Sequence, residues 1–134
     1  DYANSATSGN SAHSATSGYS AHSATSGNSA HSATSGYSAH SATSGNSAHS
    51  ATSGDYANSA TSGYSSKCEA RGVSAVAANA GSGCACAGIG GAIFLVERGK
   101  NLEVLNVFAS KVGENGIEPG VFYTLKKGKL VEVK

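Results

Sequence analysis

The sequence predicts an all-β protein: a two-sided β-solenoid of about 18 residues per coil over residues 1–90, closed by a small antiparallel β cap over residues 91–134. Three observations predict it. Cut after every ninth residue, the chain reads DYANSATSG, NSAHSATSG, YSAHSATSG and so on, with glycine at the ninth place of ten consecutive units from Gly9 to Gly90. The first place alternates Asn10, Tyr19, Asn28, Tyr37, Asn46, which doubles the period. After Gly91 the small-residue repeat gives way to short runs rich in β-branched and aromatic residues.

A strict short period with a fixed glycine marks a solenoid, in which each unit buries itself only against its neighbours. Glycine supplies backbone freedom at each corner. Nine residues match the helical repeat poorly, so Ser/Thr/Ala units of this length are read as strands. With two units per coil, Asn10, Asn28 and Asn46 stack as a ladder on one edge, and Tyr19 and Tyr37 on the other. Identical side chains repeating at about 4.8 Å favour such ladders. Ten units give about five coils, a rod segment of roughly 24 Å.

The irregular unit YSSKCEARG fixes the phase. Lys67, Glu69 and Arg71 occupy places four, six and eight, and three charges cannot be buried in so thin a core. Side chains alternate along a strand, so places three, five and seven face inward. That assigns Ala12, Ser14 and Thr16 to the inner small-residue core, with Ser66, Cys68 and Ala70 in the irregular unit. Cys84 and Cys86 fall on places three and five, so all three cysteines are expected inside, with Cys86 stacked on Cys68. The outward set is histidine, alanine and serine, and His13, His22, His31, His40 and His49 form outward ladders. Buried serine hydroxyls need hydrogen-bond partners close by.

In the C-terminal part, AIFLVE (92–97), LEVLNVFAS (102–110), VFYTLK (121–126) and LVEVK (130–134) read as four strands separated by turns. They are expected to pack as a unit on the last coil, supplying large apolar side chains and covering an exposed sheet edge. Residues 1–63 contain no Val, Leu, Ile, Phe or Met. By composition alone that segment reads as a disordered linker; its regularity argues for order.

Charged residues make up 13% of the 134, and the formal net charge is +1, which leaves no basic footprint for nucleic acid. All nine Lys and Arg lie at Lys67 or later. No apolar run is long enough to span a bilayer, so membrane insertion is not expected. The chain opens in mid-repeat without methionine, which suggests a fragment or processed product from a longer array. An absent signal peptide therefore says little about location. Three cysteines do not make a disulfide framework, and they are compatible with a cytoplasmic protein or an extracellular fibre.

The run SATSGYSAH, then VSAVAANAG, AIFLVERG and finally VFYTLKKGKLVEV resembles a family of uncharacterised bacterial and phage proteins. These carry SATG-type nonapeptide arrays closed by a strand-rich tail. The resemblance implies a β-solenoid and no particular activity. A more distant likeness is to the β-roll heads of trimeric autotransporter adhesins, although the longer repeat of those heads is missing here.

Stacked imidazoles attract transition metals, but rings about 4.8 Å apart on a flat sheet close a tetrahedral shell poorly, so surface histidine is the plainer reading. Their protonation near pH 6 makes the surface charge switchable. Calcium-binding nonapeptide repeats need an Asp in every unit, and only two units here carry one. The GIGG at 88–91 lacks the Lys-Ser/Thr of a phosphate loop, and the CAC at 84–86 lacks zinc-ligand spacing. Identical repeats supply many copies of each residue and no unique triad. The chain is therefore expected to be no enzyme and to use no cofactor or metal. Two readings remain: a rod- or fibre-forming scaffold whose partner is itself, or a module presenting a Ser/Thr/His lattice to ice or glycan. The inward phase of threonine counts against the second.

Overall fold

The computed structural model describes residues 1–133. Two seven-stranded sheets face each other, and the chain alternates between them. The first, sheet A, contains β1 (Tyr2–Ser8), β3 (Ser20–Ser26), β5 (His40–Ser44), β7 (Asn58–Ser62), β9 (Val76–Asn79), β11 (Ala92–Arg98) and β12 (Val104–Lys111). The second, sheet B, contains β2 (His13–Ser17), β4 (His31–Ser35), β6 (His49–Ser53), β8 (Lys67–Ala70), β10 (Cys84–Ala87), β13 (Phe122–Lys126) and β14 (Lys129–Val133). This is a two-sheet β-solenoid. His13 pairs with His31 and His22 with His40, so one coil of the regular array takes 18 residues.

Neighbouring coils run parallel and in register, which places most residues of the regular units on their own copy in the next coil. The inner column at place three is alanine: Ala21, Ala30, Ala39, Ala48 and Ala57 are fully buried. Place seven is threonine, and Thr25, Thr34, Thr43, Thr52 and Thr61 are only 3–4% exposed. The corner glycines make room for this close stacking. At Gly45, with φ at +147°, an added Cβ would lie 1.7 Å from the Gly27 carbonyl oxygen of the coil before. No L side chain adopts that conformation comfortably, and none fits that space.

The coil then tightens. Cys84 pairs with Lys67, a spacing of 17 (84 − 67), and Ala92 pairs with Val76, a spacing of 16 (92 − 76). Gly83 and Gly91 lie where the residues are lost. A Cβ at Gly83 would meet the Ser66 carbonyl oxygen at 1.8 Å, and one at Gly91 the Ala75 carbonyl oxygen at 2.1 Å. Asn79, buried at the place threonine holds elsewhere, locks the shortened corner. Its amide donates to the carbonyls of Ser66 and Cys84, and its side-chain oxygen accepts from Ser66 Oγ and Gly81 N.

This slip corrects the expected placement of two cysteines. Ala85, not Cys86, is the partner of Cys68, so Ala85 and Ala87 face the core with Cys68. Cys84 and Cys86 take the opposite face of sheet B, where Cys86 pairs with Glu69 rather than stacking on Cys68. Cys86 is nonetheless fully buried, and all three cysteines are free thiols.

The cap is antiparallel, as the sequence predicts, and packs on the last coil by extending both sheets. It consists of two hairpins, each continuing one sheet: β11 pairs antiparallel with β12, and β13 pairs antiparallel with both β10 and β14. Between them the chain crosses the end of the sandwich, where Ile117, Tyr123 and Leu125 join Ile93 and Leu95 in the one cluster of large buried apolar side chains. Tyr123 Oη accepts from Glu118 N and donates to Gly116 O, which pins that crossing.

Candidate functional site

The sequence requires a polar interior at place five, and the structure satisfies it across the core rather than along each sheet. Ser5, Ser14, Ser23, Ser32, Ser41, Ser50 and Ser59 alternate between the two sheets. Each Oγ donates to the Oγ nine residues earlier, through six hydrogen bonds of 2.8 Å. The result is a single unbranched hydroxyl chain down the axis. Each hydroxyl inside the chain is at once donor and acceptor, so the bonds polarise in one direction and reinforce each other. Cys68 continues the series at place five and donates its thiol to Ser59 O at 3.0 Å. Sequence reading placed Ser14 inside without finding this zigzag. The available signal was a serine at place five of every regular unit, which puts hydroxyls of opposing strands at matching heights.

Threonine is treated differently. Oγ1 of Thr16, Thr25, Thr34, Thr43 and Thr61 is buried and has no hydrogen-bond partner. The column contributes methyl packing, and its hydroxyls oppose burial.

The two outer faces carry the same columns. On sheet B, His13 stacks on His31 with ring centroids 4.9 Å apart and planes within 4°, and His31 stacks on His49 at 4.8 Å. On sheet A, His22 stacks on His40 at 4.9 Å. His13 Nδ1 lies 2.9 Å from Ser11 O, and a carbonyl can only accept, so that nitrogen bears the proton. Desolvation holds His49 below the ordinary imidazole value, with smaller contributions from His31 and Lys67. Beside each histidine column run outward alanines and then outward serines, giving shallow troughs floored by residues such as Ala24, Ala42 and Ala60.

The edges hold the other ladders. Tyr19 and Tyr37 stack at 5.3 Å, and Tyr56 joins them at the same distance but tilted by 56°. Tyr56 stands at the second place of its unit and reaches the ladder with φ at +59°. Asn10, Asn28 and Asn46 are exposed along the opposite edge.

Apart from Asp1, Asp55, the histidines and the tyrosines, charged and large apolar side chains lie at Lys67 or later. Glu69 pairs with Arg71 on the outer face of sheet B, and Lys67 Nζ sits 4.2 Å from the Phe122 ring centroid. Glu97 accepts from Asn106 and from the backbone of Gly128 at the β13–β14 turn, linking the two hairpins. Those bonds pull its carboxyl below the ordinary value. Outward on sheet A, Phe94, Leu105 and Val107 are exposed, Val107 by 71%. Burial pushes the Cys68 thiol up to about 11 and the Cys86 thiol up to about 12, the latter with help from Glu69. Both thiols are protonated and unreactive near neutral pH.

Among the described residues, no three His, Cys, Asp or Glu side chains are grouped so as to hold a metal ion. No helix is long and apolar enough to cross a membrane. No protein-family model matches the chain, and no curated protein or solved structure matches it. Fold and surface together define a β-solenoid scaffold of about five turns, with a stacked serine ladder at its centre.

Proposed function

We propose that this chain is a non-catalytic structural scaffold, a rod-forming β-solenoid that associates with further copies of itself. The observation that supports the reading is the repetition of every outer side chain in straight columns on two flat, nearly uncharged faces. Such a surface repeats each side chain many times, which argues against one catalytic constellation, and it can meet a second identical face in register. The exposed Phe94, Leu105 and Val107 on one of these faces add apolar surface of the kind that marks contact sites. The resemblance to SATG-type bacterial and phage arrays is consistent with this reading and names no activity.

A second reading is a module that binds a repetitive ligand such as ice or glycan. The exposed histidine and serine columns favour it. The threonine column that an ice-binding face would use points inward.

Negative-stain or cryo-electron microscopy with light scattering on the same sample separates the two. Scaffold behaviour gives uniform filaments or side-by-side bundles, with mass rising with concentration. Monodisperse single particles at every concentration remove self-association and leave the outer lattice to be screened against ice and glycans.

A further inference from the structure

The histidine columns differ from the other outward columns in carrying lone pairs suited to metals. On sheet A the column at place four reads Asn4, His22, His40, Asn58, and register places each of these side chains directly beside the next. The two imidazoles are stacked with their planes parallel within 7°, and their centroids lie 4.9 Å apart. A carboxamide flanks them on each side; Asn58 Nδ2 donates to His40 Nδ1 at 3.4 Å, and an ion bound at that nitrogen replaces the hydrogen bond. On sheet B the column reads His13, His31, His49, Lys67. At His13, the proton held on Nδ1 by Ser11 O leaves the lone pair on Nε2. Metal-binding histidines are oriented in the same way, by donating the second ring N–H to a carbonyl.

A shell closed by one chain alone is out of reach. Two nitrogens bound at about 2.0–2.1 Å to a tetrahedral ion lie about 3.4 Å apart, so the stacked rings must turn a nitrogen each toward the shared ion. His22 and His40 are exposed, and rotation about their side-chain bonds costs little there. Directly paired residues on adjacent strands have Cβ atoms close enough for such convergence. A third or fourth ring of a column is too far along the axis to join, which leaves the remaining coordination positions open to water or an amide oxygen. Imidazole suits Ni²⁺, Cu²⁺ and Zn²⁺, whereas neither histidine column itself holds a carboxylate for Ca²⁺ or Mg²⁺ to prefer.

We propose that each histidine column is an open two-imidazole site for a transition-metal ion of the Ni²⁺, Cu²⁺ or Zn²⁺ class. His22 and His40 form the site on one face, and His13 and His31 form it on the other. The sheet A site is the stronger. Its flanking residues Asn4 and Asn58 are uncharged, while the Lys67 ammonium stands next to His49 at the end of the sheet B column and repels a cation. The site belongs to the single chain and does not depend on self-association.

The test is a titration of the full chain with Ni²⁺, which does not oxidise the free thiols, followed by imidazole NMR signals and by calorimetry. Light scattering on the same sample establishes that the protein is unassociated. Signals of His22 and His40 should shift or broaden first and those of His13 and His31 next, with one ion bound per column. His40→Asn should remove the first site and His31→Asn the second, because His31→Asn leaves His13 and His49 two strands apart. The fold already tolerates asparagine at this place, in Asn4 and Asn58. If His40→Asn misfolds, His22→Asn makes the same test. Imidazole signals unmoved at large molar excess of Ni²⁺, or full stoichiometry retained in both variants, would overturn the proposal.

Discussion

Replacing Ser32 by alanine cuts the axial hydroxyl chain near its middle. Ser32 Oγ donates to Ser23 Oγ and accepts from Ser41 Oγ, both at 2.8 Å, and all three residues are at most 4% exposed. In the variant the Ser41 hydroxyl loses its acceptor in a core with no water contact. An orphaned buried donor costs about 1–3 kcal/mol, and the loss of polarisation along the rest of the chain adds to it. We expect about 2 kcal/mol of destabilisation. Two residues further along the same strand, Thr34→Val should do the opposite. Thr34 Oγ1 is buried without a partner, and valine keeps both branches of the side chain. Removing that hydroxyl should stabilise by about 1 kcal/mol. Ser35→Ala, outward on the same strand, should change stability by less than about 0.5 kcal/mol. Urea unfolding followed by circular dichroism gives the three midpoints, compared at equal slope. If Ser32→Ala and Ser35→Ala cost the same, the hydroxyl chain is not what holds the coils together; if Thr34→Val destabilises, the buried threonine hydroxyl does not oppose burial.

Gly45→Ala should abolish the native circular dichroism spectrum or drive aggregation. Its Cβ would meet the Gly27 carbonyl oxygen at 1.7 Å, whereas Gly113→Ala, with nothing within 4 Å, should fold despite its positive φ. In alkaline solution the raised thiols make stability fall. The unfolded chain ionises its thiols from about the ordinary value of 9.0 while folded Cys68 and Cys86 hold their protons to about 11 and about 12. Their contribution is therefore complete below 9 and lost between 9 and 12, which equilibrium unfolding across that range would show; Cys68→Ser should flatten part of the slope. In acid the sign reverses. His49 is held below 6.5, so the unfolded chain takes up the proton more readily and stability falls as pH drops through that region. A stability profile that stays flat from pH 8 to pH 5 would contradict this.

The regular array was legible because a solenoid converts sequence period directly into spatial register. Nine residues give one strand and corner, so the charges at Lys67, Glu69 and Arg71 were enough to orient every other unit, and Ala21, Ser23 and Thr25 lie inside as that phase requires. The same logic failed at Cys86, where counting by nine assumes that every corner has the same length. The marker of the change was present as surplus glycine at Gly83 and Gly91, but a glycine in sequence does not say whether it opens a corner or deletes a residue from it. The cap was legible as antiparallel strands on the last coil, but not the sheet that each hairpin would join. Its strands were recognised by composition, yet their assembly was decided by the free edges of the last coil. Those edges captured β12 and β13 as further members of sheets A and B.

The serine chain shows what periodicity hides more generally. A repeat tells which residues share a column within one sheet, at 18-residue spacing, and says little about contacts between sheets. Here the decisive contacts join residues nine apart, across the core, and they exist because serine is short enough for opposing sheets to approach within one hydrogen bond. A larger side chain at place five would push the sheets apart and break the chain of donors at that level. The core at this place can therefore vary only where the chain ends, and that is where it does. Cys68, the first residue at place five that is not serine, no longer donates to an Oγ but to the backbone carbonyl of Ser59. One coil later Ala85 stands opposite Cys68, and the interior passes from hydroxyls to the apolar cluster around Ile93 and Leu95. The protein thus changes its mode of cohesion along its axis, from hydrogen bonding between small residues to burial of large ones, without interrupting either sheet.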